Sequence, residues 1–433
     1  MKFGGTSLGS PERMHHVAEL IQDGDRNVVV LSAVSGTTNK LVEIAGLLFN
    51  SKKEEAQTFI ADFKSNYIEF VDKLYETDEY KQKAKELVKT YFDYIHSFTL
   101  DMFTVYEERA LLAQGELIST NLFAFYLQEN KIDAKLIPAL EFMRINEDSE
   151  PQLDYIEENL GKIVEDHPGT PIFITQGYIC RNSFGEIDNL KRGGSDYTAS
   201  LIGAALRVSE VQIWTDIDGM HNNDPRIVDN TFPIRELSFN EAAELAYFGA
   251  KILHPSSVWP AQKMNIPVRL KNTMKPDAHG TLITASTQKG KVKAIAAKDG
   301  ITAIKIRSGR MLLAYGFLRH VFEVFERYKT PIDMITTSEV AVSLTIDDET
   351  HLNEIIEALQ QFGEVEVDKK QTIICIVGDF LADNKGYASF IFDALSDIPI
   401  RMISYGGSKN NVSILVSENH KVNTLKALNE HVF

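Results

Sequence analysis

Cysteine is nearly missing from this 433-residue chain: Cys180 and Cys375 are its only two, too few for a disulfide framework or a cysteine metal cage. Long apolar runs are missing as well, and no stretch approaches the ~20 residues of a membrane helix. The opening Met-Lys-Phe-Gly-Gly-Thr-Ser has no apolar core of a secretion signal, so the cytoplasm is the expected compartment. Nor is there a basic excess. Lys and Arg number 45 against 61 Asp and Glu, a net charge of −16, so phosphate-rich nucleic acid and anionic membranes repel the chain. What remains, 44% hydrophobic and 24% charged, is the composition of a folded globular protein whose length calls for about three domains.

Short β-branched runs at Asn27 to Ser32, Pro171 to Gln176 and Val211 to Thr215 read as strands buried on both faces. Helical patterns lie between them. One starts at Ser10-Pro11-Glu12, a capping serine followed by proline at the first helical position, and places Met14, Val17, Ala18 and Ile21 on one face. Alternating strands and helices predict an α/β fold with a mostly parallel sheet and helices on both sides, which binds ligands at the carboxyl ends of its strands. The glycine-free stretch from Ser51 to Leu100 predicts two or more inserted helices with a solvated charged face.

A repeat follows Lys289. Gly316-Phe317-Leu318, a helix, Pro331 to Thr336 and an alternating strand from Val340 to Ile346 are echoed by Gly386-Tyr387, a helix, Pro399 to Ser404 and Val412 to Val416. Each copy ends in a helical stretch and predicts a small ferredoxin-like α+β module.

Two turns carry candidate chemistry. Lys2-Phe3-Gly4-Gly5-Thr6-Ser7-Leu8-Gly9 lies between a strand and a helix, where paired glycines let backbone amides approach an anion and the helix N-terminus adds partial positive charge. It is not a Walker A loop, because the lysine precedes the glycines. Lys191-Arg192-Gly193-Gly194-Ser195-Asp196 repeats the logic: Asp196 alone reads as a helix cap, but an arginine beside paired glycines can clamp a carboxylate through two hydrogen bonds. Two basic Gly-Gly turns in an acidic protein point to one pocket handling two anions. Trp214 to Gly219, Asp224-Pro225-Arg226, Gly115-Glu116 and Phe248 to Pro255 with Lys251 are weaker candidates taken singly.

Together these segments, with Ser32 to Asn39 and Gln114 to Thr120, resemble the aspartate kinases of the amino-acid kinase superfamily. The resemblance covers the whole chain, since the repeat looks like that family's paired ACT modules. It implies a three-layer αβα kinase domain over 1–285 with a helical insertion at about 51–105. A linker and the first strand of ACT module 2 would occupy 286–300, module 1 residues 301–364, and the rest of module 2 residues 365–433. The implied reaction moves the γ-phosphoryl of ATP, as the Mg2+ complex, to the side-chain carboxylate of L-aspartate. This is the first step toward lysine, threonine and methionine. Such a nucleophile is ionised at neutral pH and needs no base, so positioning and positive charge supply the catalysis.

Carried over by motif, Lys2, Asp196 and Lys251 are catalytic. Ser32, Thr38, Glu116, Arg192 and Asp196 meet aspartate, with Arg192 on its α-carboxylate and Glu116 on its ammonium. Lys2, Phe3, Gly4, Gly5, Thr215, Asp216, Arg226, Lys251 and Ile252 meet the nucleotide, as does His221, where relatives commonly place tyrosine. No protein metal ligand is expected. The resemblance to the lysine-inhibited class places an effector at Met311, Ala314, Gly316, Phe317, Leu318, Asp333, Thr337, Ser338, Glu339 and Val340. Asp333 would pair with the second ammonium of lysine; the other copy has Arg401 there. A homodimer through the ACT modules is expected, and no attached homoserine dehydrogenase. The competing readings are a glutamate-type acyl-phosphate kinase and an inactive amino-acid sensor.

Overall fold

The computed structural model describes residues 1–190, 193–249, 253–286, 292–309, 315–378 and 385–433. In chain order these form β1 (Lys2–Phe3), α1 (Pro11–Leu20), β2 (Asn27–Leu31), α2 (Thr37–Phe49), α3 (Lys53–Leu74), α4 (Asp78–Ser97), α5 (Val105–Glu129) and β3 (Ala134–Leu136). There follow α6 (Ala139–Phe142), α7 (Leu153–Glu165), β4 (Ile172–Gln176), β5 (Ile179–Arg181), β6 (Ile187–Asn189), α8 (Gly194–Leu206), β7 (Val211–Thr215), β8 (Glu236–Ser238) and α9 (Phe239–Tyr247). Then come α10 (Trp259–Lys263), β9 (Val268–Asn272), β10 (Thr281–Thr284) and β11 (Val292–Arg307). The chain closes with α11 (Phe317–Arg327), β12 (Ile335–Thr337), β13 (Ala341–Ile346), α12 (Leu352–Gln360), β14 (Glu364–Gly378), α13 (Tyr387–Asp393), β15 (Met402–Tyr405), β16 (Asn411–Ser417) and α14 (Lys421–Val432). No helix among the described residues is long and apolar enough to cross a membrane.

Two compact units result: Met1–Met220 with Leu253–Ala285, and His221–Ile252 with Ser286–Phe433. Residues 221–252 therefore group with the C-terminal half, whereas the sequence reading runs one domain through 285.

In the first unit the strands follow the order β3-β4-β2-β1-β7-β9-β10, parallel as far as β9, with β10 antiparallel to β9. The two-residue β1 is central, Lys2 lying opposite Val30 and Ile213, and Phe3 opposite Leu31 and Trp214. All five residues of β4 are buried, as the unbroken β-branched run requires. Ser10 caps α1 by accepting the Arg13 N–H, and Met14, Val17, Ala18 and Ile21 are at most 2% exposed. Burial of each large member contributes roughly 1.5–3 kcal/mol. The inserted α3 and α4 are not satellites: Phe63, Tyr67, Val71, Val88 and Phe92 share one core with Phe3, Leu31 and Ile44.

The second unit holds an antiparallel sheet in the order β12-β13-β11-β14-β16-β15. Its two long central strands serve both repeats. Ile301 to Arg307 pairs with β13 and the start of β14, while Val292 to Lys298 pairs with Ile373 to Gly378. Each repeat buries its own apolar cluster, Ile304, Val321, Leu344 and Ile355 in one, Ile376, Ile391, Ile414 and Leu425 in the other. The alternation that predicts the strands is thus the alternation that fills two cores.

Candidate active site

The carboxyl ends of β1, β2, β4 and β7 run into Gly4, Ser32, Gly177 and Asp216, the region where a parallel sheet gathers its functional groups. Here the two Gly-Gly turns meet. Lys2 Nζ lies 2.7 Å from Asp196 Oδ1, with the two side chains only 12% and 16% exposed. Asp196 stands in the first turn of α8, whose cap Gly193 has φ 73°. A Cβ at Gly193 would come within 2.7 Å of the Ser257 Cβ, so backbone conformation and space both require glycine.

A cavity of about 390 Å³ opens beside this pair, lined among others by Gly5, Ser32, Thr38, Glu116, Tyr178 and Ser195. Three of the expected substrate contacts, Ser32, Thr38 and Glu116, are thereby brought together with the first glycine turn. Glu116, on α5, is 4% exposed. Its Oε2 has no hydrogen-bond partner among the described residues. Burial pushes its pKa up to about 8, against opposing contributions from the Ala33 backbone and the Lys2 charge. A buried carboxyl left in that condition is suited to a cation brought by a ligand.

Two cavity residues, Ser195 and Tyr178, have no ligand role in the motif reading. Ser195 accepts a 2.9 Å hydrogen bond from Ser32 Oγ, tying the second glycine turn to the end of β2. Tyr178 holds φ 68°, a left-handed conformation costly for an aromatic residue, and its N–H donates to Thr198 Oγ1 at 2.9 Å. The only sequence sign of Tyr178 is its place after Gly177 at the end of β4.

The expected nucleotide contacts divide. Thr215 Oγ1 donates to Asp216 Oδ1 at 3.1 Å at the end of β7, and Asp216 is exposed. Gly4 N–H donates to the Trp214 carbonyl at 3.4 Å. The Phe3 side chain is fully buried and stacked on Trp214 at 5.5 Å, so its ring belongs to the core and only its backbone is left to face a ligand. In the second unit, exposed Arg226 forks onto Asp224, Nε at 2.9 Å and Nη2 at 2.7 Å, and His221 Nδ1 lies 3.2 Å from Thr231 Oγ1. Arg192, Lys251 and Ile252 lie outside the described residues, as do Met311 and Ala314.

Among the remaining effector candidates, Gly316 caps α11 with φ 85°, Leu318 is exposed, and Thr337 to Val340 form an exposed turn between β12 and β13. Ser338 closes that turn, its N–H donating to the Ala341 carbonyl at 2.8 Å. Phe317 is a buried ring set edge-on to Phe362. Asp333 has internal partners: its 1%-exposed carboxylate takes Lys298 Nζ at 2.6 Å and the Tyr247 hydroxyl at 2.9 Å, both on Oδ1, while Oδ2 has no hydrogen-bond partner among the described residues. Lys298 also reaches Asp347 at 2.8 Å. The physical reason is burial: a carboxylate this enclosed is stable when the chain supplies a cation.

Comparison with known proteins agrees with this layout. Residues 1–272 match the amino acid kinase family and residues 374–432 match the ACT domain. The chloroplastic aspartokinase 3 of Arabidopsis thaliana is 34% identical over all of this chain and 81% of its own length. The lysine-sensitive aspartokinase 3 of Escherichia coli is 32% identical over all of this chain and 98% of its own. The crystal structure of E. coli aspartokinase III in complex with aspartate and ADP, 32% identical, superposes with a TM-score of 0.81 over all of this chain and 99% of that one. With a parallel-sheet kinase domain, a repeated ACT half and full-length likeness to several such enzymes, this chain belongs to the aspartokinases of the amino acid kinase family.

Proposed function

We propose that the cavity beside Lys2 and Asp196 holds L-aspartate and that the chain converts it with MgATP to 4-phospho-L-aspartate and ADP. The observation that carries this reading is Glu116, a buried carboxyl whose Oε2 has no hydrogen-bond partner among the described residues, near a lysine held by the second glycine turn. The substrate ammonium settles on Glu116, and its α-carboxylate on Arg192. The side-chain carboxylate, already ionised, attacks the γ-phosphorus. The bond from that phosphorus to the β-phosphate bridging oxygen breaks, and ADP leaves with the electron pair. Lys2 offsets charge on the transferring group, and Asp196 fixes the direction of its ammonium. Thr38 and Ser32 add polar contacts to aspartate. Thr215, Asp216, Arg226 and Lys251 serve the nucleotide, whose Mg2+ travels with the phosphates and water.

The same reading places the enzyme in the cytoplasm, at the first committed step toward lysine, threonine and methionine. Lysine would inhibit it at the first ACT module near Asp333, Ser338 and Glu339. A homodimer would form through the ACT sheet, whose edge strands β12 and β15 carry the exposed Ile335, Ile403 and Tyr405. The test is ADP release with aspartate and glutamate side by side. Turnover with aspartate alone is expected, and Lys2→Ala should lower kcat roughly 10²–10³-fold while KM for aspartate changes little. Equal turnover of glutamate, or no ADP from either, overturns the assignment.

A further inference from the structure

The inserted helices α3 and α4 contribute none of the groups named above, yet one of their side chains reaches the cavity wall. The Tyr67 hydroxyl lies 2.7 Å from Thr37 Oγ1, with Tyr67 4% and Thr37 2% exposed. Thr37 opens α2 and stands between Gly36 and Thr38, both of which line the cavity. The Tyr67 ring is itself held, packed at 5.3 Å from Phe63 and 5.6 Å from Phe92.

The other branch of Thr37 is committed too. A Cβ at Gly115 would stand 3.1 Å from Thr37 Cγ2 and 2.9 Å from the Ala33 Cβ, so α5 touches the loop one residue before Glu116. Thr37 is therefore clamped by its hydroxyl to α3 and by its methyl to α5, and β-branching lets neither move without the other. The Glu116 charge is also felt at Tyr67. The spacing between the 32–39 loop and the Glu116 carboxyl is thus set from the insertion.

We propose that Tyr67 is a positioning residue for the amino-acid substrate, acting through Thr37; this rests on the reading that the cavity holds aspartate. Loss of the hydroxyl leaves the chemistry and the nucleotide contacts intact but loosens the loop against Glu116. In steady-state kinetics of the full chain, Tyr67→Phe and Thr37→Val should each raise KM for aspartate about 10-fold, with kcat and KM for ATP within about 2-fold of wild type. The double variant should be no worse than either single, because the two hydroxyls act only as a pair. Tyr67→Phe keeps the aromatic packing and Thr37→Val the shape, so one reports if the other fails to fold. A fall in thermal stability with KM for aspartate unmoved would mean a structural role only and overturns the proposal, as does an additive double variant. Wild-type enzyme that does not saturate with aspartate overturns the cavity assignment and this inference together; saturable wild type with unchanged variants overturns this inference alone.

Discussion

Two buried carboxyls, one in each unit, await an ammonium in the sequence reading; among the described residues each keeps one oxygen with no hydrogen-bond partner, Glu116 Oε2 and Asp333 Oδ2, and they differ in that Asp333 has a lysine on its other oxygen. Burial holds the Glu116 pKa near 8. Asp333 already carries the Lys298 ammonium at 2.6 Å and the Tyr247 hydroxyl at 2.9 Å. An unpaired buried carboxyl is a cost to the free protein that a cationic ligand removes, so binding is favoured by the relief. One whose charge is already met gains less, because a ligand ammonium must compete with an internal one. On the proposed reading, the Glu116 site is one to be filled and the Asp333 carboxylate one to be contested.

The contrast can be broken first at Glu116. Glu116→Gln, which keeps shape and removes charge, should raise KM for aspartate about 100-fold or more and leave KM for ATP near wild type; an unchanged aspartate KM in steady-state assays would remove Glu116 from the ammonium site. The second test is pH. With a free-enzyme pKa near 8, Glu116 must lose a proton before it can pair with the substrate ammonium. Aspartate affinity, measured by titration calorimetry, should therefore rise roughly 10–50-fold from pH 6 to pH 8 and level off above, and Glu116→Gln should abolish that rise.

The same shift gives a stability signature of known sign. The folded-state pKa is raised, so the group's contribution is fully present below its unfolded pKa near 4.5 and is lost as pH climbs through about 8. Ligand-free Glu116→Gln should accordingly gain on wild type in thermal melts across that window.

The smallest expected effect lies at the contested carboxylate. Lys298→Met removes the internal cation and should tighten lysine binding about 10-fold in calorimetry, at the expense of lower stability. Unchanged or weaker binding would show that Lys298 does not compete at Asp333.

Much of the architecture is legible along the chain because it is local. Ser10-Pro11 marks a helix start whatever surrounds it, and the alternation of Val342, Leu344 and Ile346 specifies one buried face. The Gly-Gly turns are legible for the same reason, since their backbone freedom belongs to the glycines. Contacts between distant residues are not. Nothing adjacent to Tyr67 announces Thr37, and nothing adjacent to Asp333 announces Lys298. The rings of Phe3 and Phe317 stand beside the glycines of candidate turns, yet they answer to packing partners far away in sequence, Trp214 and Phe362.

Composition, periodicity and the two glycine turns were enough to specify an acidic globular protein, a parallel-sheet domain with a repeated α+β half, and residues able to gather two anions. Tertiary structure alone decided which charges are paired. Pairing depends on distances of a few ångströms between segments far apart in sequence, and on burial that turns a titratable group into a waiting site or an internal ion pair. Lys2 found Asp196, Asp333 found Lys298, and Glu116 Oε2 found no hydrogen-bond partner among the described residues.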